Sequence, residues 1–227
     1  MQQRPLEELE NKIGYHFEDK LLLRQALTHS SFANEQKINK QEDYERLEFL
    51  GDAVLELVAS EFLFQENKQM AEGKLTRTRA SIVCEQALAY CAKEFGLEMY
   101  ILLGKGEEQT GGRSKDSIIS DVMEAIIGAI YIDSGMQQAS AFIHRFILSD
   151  LEHKKLFYDA KTILQELVQK NKEVLQYQLI REDGPDHDKL FVVEARIDEK
   201  KIGEGTGKTK KAAEQQAAYE ALVSLQR

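Results

Sequence analysis

Two domains are predicted, an all-α domain followed by a smaller α+β domain of order helix, three strands, helix. Three observations carry this. From Leu6 to about Asp150 apolar residues recur at three- and four-residue spacing, whereas past residue 170 they alternate over short runs. The charge balance changes with the periodicity: residues 1–150 hold 25 acidic and 16 basic side chains, and residues 151–227 hold 14 of each. At 227 residues the chain is also long enough to bury one large core or two smaller ones. The expected boundaries are 1–150 for the helical domain, 151–158 for a charged linker and 159–227 for the α+β domain.

The opening residues, MQQRPLEELE, are polar and acidic where a secretory signal is basic and then apolar. With 42% hydrophobic and 30% charged residues the composition is that of a soluble globular protein. The longest apolar run, IISDVMEAIIGAIYI at 118–132, contains two acids and makes a poor membrane span. A cytoplasmic protein with no membrane partner is expected. Cys84 and Cys91, seven apart, fit buried free thiols on one helix face better than a zinc pattern. Within the helical part, GKGEEQTGG at 104–112 reads as a glycine-rich loop, with Arg113 and Lys115 beside it as solvated charges, and Gly135 closes the helix that contains the apolar run.

That run poses a problem, because an ionised carboxylate removed from water is expensive unless something compensates it. Asp121 and Glu124 lie one helical turn apart among Ile118, Ile119, Val122, Ile126, Ile127 and Ile130. A second acidic pattern is ERLEFLGDAVL at 45–55. At 100° per residue Glu45, Glu48 and Asp52 fall within about 60° of one another, opposite Leu47, Leu50, Val54 and Leu57. Alone, that stripe reads first as the solvated face of an amphipathic helix. If the two helices pack with their acids facing, Glu48, Asp52, Asp121 and Glu124 converge and raise one another's pKa unless a cation intervenes. Oxygen donors with no cluster of His or Cys select Mg²⁺, with Mn²⁺ able to substitute, and such a site suits phosphodiester hydrolysis.

Past the charged bridge SDLEHKKLFYD, residues 160–170 form an amphipathic helix, LQYQLI alternates, GPDH marks a turn, and KLFVVEARID and KIGEG read as further strands. An alanine-rich helix runs from Thr209 to the C-terminus. Lys208, Lys210 and Lys211 cluster at its start, the end where the macrodipole disfavours cations. Together with free backbone N–H groups they make an anion site suited to duplex phosphates. The net charge of −9 speaks at first against a nucleic-acid partner, but its distribution decides.

ERLEFLGDAVL closely resembles the signature of the ribonuclease III family. ALTHSSFANE (26–35), EGKLTRTRA (72–80) and SDVMEAIIGAIYID (120–133) resemble further blocks of that family in order, and DAKTILQELVQ through GPDH to GKTKKAAEQQAA resembles a double-stranded RNA-binding domain. The resemblance covers nearly the whole chain. It implies that Glu48, Asp52, Asp121 and Glu124 form the Mg²⁺ site, with Asp52 and Glu124 most tied to catalysis, and that Glu45 and Glu72 lie near the cleavage valley. It further implies a homodimer built around the signature helix, each subunit cutting one strand of double-stranded RNA by in-line attack of water. The products would carry 5′-phosphate and 3′-hydroxyl ends with short 3′ overhangs, and processing of ribosomal RNA precursors and other structured transcripts would follow.

In the second domain the resemblance places Thr162 and Gln165 at one minor groove, the loop with Gly184, Pro185 and His187 at the next, and Lys208, Lys210 and Lys211 across the major groove between them, a shape-reading arrangement suited to A-form RNA. His29 is read as structural. Phe49 and Leu50 belong either to the pairing surface or to the core, and Arg77 and Arg79 are either solvated or phosphate contacts. A catalytically silent RNA-binding scaffold and a phosphohydrolase of small nucleotides are the competing functions. The intact acid set weighs against the first and the C-terminal module against the second.

Overall fold

A computed structural model describes residues 4–36, 42–184, 189–207 and 209–225. It divides into two units, Met1–Ser149 and Asp150–Arg227. The first contains α1 (Leu6–Ile13), α2 (Lys20–Ala26), α3 (Ser30–Glu35), α4 (Glu45–Glu66), α5 (Glu72–Ile82), α6 (Glu85–Glu94), α7 (Lys105–Gln109), α8 (Asp116–Ser134) and α9 (Met136–Ile143). A π-helical turn over His144–Leu148 prolongs α9.

Its core is organised by α8, in which Ile119, Val122, Met123, Ile126, Ile127 and Ile130 are fully buried. Isoleucine is an indifferent helix former, so propensity alone would not choose this conformation. Burial does, at roughly 1.5–3 kcal/mol for each such side chain. Helices α2, α4, α6 and α9 surround α8 and bury its faces. Gly135 ends it with a positive φ of 79°, as the sequence indicates.

Three expectations change here. The stretch 104–112 is not simply a loop: Lys105–Gln109 forms the short α7. Arg113 is not a solvated charge: its guanidinium forks onto Glu108 at 2.5 and 2.8 Å and donates to the Glu98 carbonyl at 2.6 Å. Lys115 is exposed, as expected, and pairs with Glu107 at 2.6 Å. Leu57, placed by the helical wheel on the apolar side of its helix with Leu47 and Val54, is 57% exposed, whereas those two are buried. Cys91 is buried and Cys84, half-buried, precedes α6 as its N-cap residue; both are free thiols.

The second unit holds α10 (Leu151–Tyr158), α11 (Ala160–Lys170), β1 (Leu175–Asp183), β2 (Leu190–Ile197), β3 (Lys200–Gly207) and α12 (Lys210–Leu225). Residues 151–158, expected as a charged linker, are thus helical, and α10 packs on α11 and α12. Gln215 Nε2 donates to the Phe157 carbonyl at 2.7 Å, and the Phe157 ring meets Tyr219 edge-on at 5.2 Å. The strands form an antiparallel sheet of order β1-β2-β3, with Leu175 opposite Ile197 and Ile197 opposite Lys200. An irregularity between Leu179 and Arg181 shifts the register of β1.

Ala160, Leu164, Val168, Ala195, Ala217, Ala218, Ala221 and Leu222 make the small core of this unit. Its tightest contact is between α12 and β3. A Cβ added at Gly203 would stand 2.3 Å from the Ala217 carbonyl oxygen, and one at Gly205 would stand 2.2 Å from the Ala217 nitrogen. Helix α12 therefore lies directly on the peptide backbone of GEGTG. No helix among the described residues is long and apolar enough to cross a membrane.

Candidate functional site

The acids of the first unit are brought together by two glycines. A Cβ at Gly51 of α4 would lie 1.8 Å from the Glu124 carbonyl oxygen of α8, and one at Gly128 would lie 2.2 Å from the Leu47 carbonyl oxygen. The two helices meet backbone to backbone at that point. Glu48 and Asp52 flank the contact on α4, and Asp121 and Glu124 flank it on α8. Neither glycine was singled out from the sequence, although a lone glycine inside a helical pattern marks a close approach often enough to be a usable signal.

Burial and mutual repulsion then act on the carboxyls. Glu124 is pushed up to about 8, first by desolvation and then by the charges of Asp52, Glu48 and Asp121. Glu48 rises to about 7 through desolvation, Asp121, Glu45 and Asp52. Asp52, more open to solvent, is raised by desolvation and by Glu56. Burial also raises Asp121, while a hydrogen bond from Tyr44 and the nearby His29 pull the other way. No ion pair to Glu48, Asp52, Asp121 or Glu124 occurs among the described residues.

This donor set fits a hard divalent cation: four carboxyl groups in mutual Coulomb range, two of them pushed toward neutrality, with no cationic side chain paired to them. Among the described residues no three His, Cys, Asp or Glu side chains are drawn close enough to cage an ion by themselves. A divalent ion bound there would keep several of its waters and take few protein oxygens.

Of the two further acids, Glu45 stands at the head of α4 and adds its charge to Glu48. Glu72 is not gathered with them. It accepts from Thr76 Oγ1 at 2.9 Å and lines a groove with Leu57, Phe64, Leu75 and Arg79. Arg79 donates to Ser60 Oγ at 2.8 Å across that groove. Exposed apolar side chains run along α4: Phe49 is 81% exposed and Phe64 74%. His29 caps α3, its Nδ1 accepting from the Ser31 amide at 3.1 Å. Tyr44, whose Oη donates to Asp121 Oδ2 at 3.3 Å, was not foreseen.

In the second unit, Thr162 is exposed and Gln165 half-buried on α11, and Gly184 follows β1 with a φ of 93°. Pro185, His187 and Lys208 lie outside the described residues. Lys210 and Lys211 begin α12 and are exposed, and Thr209 Oγ1 accepts from the Ala212 amide at 3.1 Å to cap the helix. Lys210 Nζ lies 3.3 Å from Glu182 at the end of β1. Both charges are largely solvated, so water and a phosphate compete readily for that pair.

Comparison with known proteins matches both units. A family model described as Ribonuclease-III-like covers residues 19–151, and one described as Double-stranded RNA binding motif covers residues 160–225. The chain is 47% identical to Ribonuclease 3 of Shouchella clausii over 99% of its own length and 87% of the relative's. It is 48% identical to Ribonuclease 3 of Caldanaerobacter subterraneus, covering 96% of each chain. Among solved structures, the nuclease domain of ribonuclease III from Campylobacter jejuni superposes with a TM-score of 0.59 at 45% identity, covering 63% of this chain and 96% of that one. Its description refers to structural flexibility in a region involved in dimer formation.

Proposed function

Because this chain belongs to the ribonuclease III family, we propose that it cuts double-stranded RNA at the crossing of α4 and α8, with Glu48, Asp52, Asp121 and Glu124 holding Mg²⁺. The chain is a double-stranded-RNA-specific endoribonuclease with a helical nuclease domain, matched over residues 19–151, and a double-stranded RNA-binding domain, matched over residues 160–225. The observation that carries the site is the backbone contact at Gly51 and Gly128, beside which four carboxyls repel one another with no ion pair to relieve them among the described residues.

When bound, Mg²⁺ supplies positive charge for the scissile phosphate and lowers the pKa of water at the site, with Mn²⁺ able to take its place. The chain's own contribution is placement. Asp52 and Glu124 stand on the two facing helices within Coulomb reach of each other, and the backbone contact keeps the helices from separating. Water attacks phosphorus in line with the departing 3′ oxygen, which leaves as a 3′-hydroxyl while the phosphate stays on the 5′ end. No side chain becomes covalently attached, and no histidine base is needed.

The chain acts as a homodimer in this reading. The exposed Phe49, Leu57 and Phe64 along α4 supply an apolar surface for a second copy. Two sites, each cutting one strand, leave short 3′ overhangs, and Glu45 and Glu72 line the valley between them. Thr162, Gln165, the loop 184–187 and Lys208, Lys210 and Lys211 hold the duplex by its grooves and phosphates. Ribosomal RNA precursors and other structured transcripts are the substrates, in the cytoplasm, where free thiols such as Cys84 and Cys91 persist.

The test is incubation of the full chain and of Glu124→Gln with end-labelled duplex RNA, single-stranded RNA and duplex DNA, with Mg²⁺ or excess chelator. Chelator-sensitive cutting of duplex RNA alone, lost by at least about 100-fold in Glu124→Gln with duplex binding retained, is expected. Unchanged cutting by the variant would remove Glu124 from the site. Tight duplex binding without cutting, under either cation, would mark a scaffold.

A further inference from the structure

Tyr44 stands where the two acid-bearing helices are tied to the rest of the nuclease domain. It is only 4% exposed and is the N-cap residue of α4, its carbonyl accepting from the Leu47 and Glu48 amides at 2.8 and 2.9 Å. Its own amide donates to the carbonyl of the fully buried Thr28 at 2.9 Å, and its ring meets His29 edge-on at 5.7 Å. Thr28 is bridged in turn to Leu102, with the Leu102 amide donating to the Leu27 carbonyl at 2.8 Å and the His29 amide to the Leu102 carbonyl at 3.0 Å. Main chain and ring are therefore both fixed. The one free torsion left to the phenol is that of its hydroxyl, and Oη points at Asp121 Oδ2, 3.3 Å away on α8.

We infer that Tyr44 is a positioning residue for the metal site, fixing the rotamer of Asp121 so that its second oxygen faces the cation. This rests on the proposed metal set. The physical reason lies in the neighbours. Asp121 shares its surroundings with Glu48 and Glu124, and repulsion turns an untethered carboxylate away from other carboxylates. A hydroxyl anchored on the main chain of a different segment opposes that rotation. A ligating carboxylate is commonly held in this way, and loss of such an outer partner weakens metal binding by about 10- to 100-fold. At 3.3 Å the contact is longer than the usual 2.7–2.8 Å of such bonds, so a value near the lower end is expected.

The experiment is titration of the full-length protein with Mn²⁺, followed by electron paramagnetic resonance without RNA, for wild type, Tyr44→Phe, Asp121→Asn and the double variant. Tyr44→Phe keeps the ring and its packing and deletes only the hydroxyl. Expected are about tenfold weaker Mn²⁺ binding by Tyr44→Phe, a larger loss by Asp121→Asn, and no further loss when Tyr44→Phe is added to Asp121→Asn. The Mg²⁺ concentration for half-maximal cleavage should rise in step while the rate at saturating Mg²⁺ stays within about twofold. Unaltered Mn²⁺ affinity in Tyr44→Phe, or additive losses in the double variant, would overturn the inference while leaving the metal set standing. Unaltered affinity in Asp121→Asn would overturn both. Equal weakening accompanied by a drop in thermal midpoint of more than a few degrees would reassign Tyr44 to fold stability and also count against it.

Discussion

Glu124 shows how burial and crowding act on a single side chain, and the effect is measurable without any substrate. Its pKa of about 8, with that of Glu48 near 7, lies above the ordinary carboxylate value, so the folded protein binds protons that the unfolded chain releases. Between about pH 5 and pH 8 the metal-free protein therefore loses stability as pH rises. After solvent screening the loss is on the order of 2 kcal/mol. Carboxylates held below their ordinary values, such as Glu10 and Asp133, stabilise the fold above that range and lose their effect only in more acidic solution, outside this window. Urea unfolding in chelator at pH 5.5 and pH 8.5 should show the loss in wild type and a clearly smaller one in Glu124→Gln; equal slopes would contradict the assignment. These acids were legible from sequence because their anomaly is local: carboxylates at helical spacing inside an isoleucine run. Tyr44 was not, because its partner Asp121 is 77 positions away and nothing near either residue announces the other.

At the scale of elements, the meeting of α4 and α8 depends on two missing methyl groups. Gly51→Ala would place a carbon 1.8 Å from a main-chain carbonyl that has no side-chain freedom with which to yield. A destabilisation of about 3 kcal/mol is expected, which in a unit of this size lowers the thermal midpoint by very roughly 6–12 °C. Gly73→Ala is the control, since its Cβ would meet nothing within 4 Å on an exposed turn of α5. There the same change should stabilise by about 0.5–1 kcal/mol, through helix propensity alone. A Gly51→Ala protein as stable as wild type would mean that the helices do not cross here. Helix type and order were legible in the periodicity, but the crossing was not, because it belongs to two helices at once. The segment 151–158 was misread for a related reason. Its charged residues look like a bridge, and the partners that make it a helix, Gln215 and Tyr219, come some sixty residues later. Arg113 likewise looked solvated because Glu108 reaches it only once α7 has formed.

At the scale of the whole molecule the two units divide the work of handling a polyanion. Residues 1–150 carry the entire net charge of −9 and need a cation before a phosphate can approach their acids; residues 151–227 are neutral overall but concentrate lysines at the start of α12. Since α10 packs with the second unit, the deletion to make is residues 150–227 rather than a cut within that helix. The remaining unit should cut duplex RNA slowly at low salt and lose about 10- to 100-fold in duplex affinity at physiological salt. Equal activity of both chains across a salt series would deny the second unit its role. The seat of α12 on GEGTG adds something more. Main chain rests on main chain there, so the separation between helix and strand is set by peptide geometry and leaves side-chain volume almost nothing to adjust. The lysines at the head of α12 thus inherit their distance to the sheet from a gauge that substitutions elsewhere in the core scarcely alter. In the proposed mode of binding, the groove spacing of A-form RNA, which varies little with base sequence, meets a ruler equally indifferent to the side chains around it.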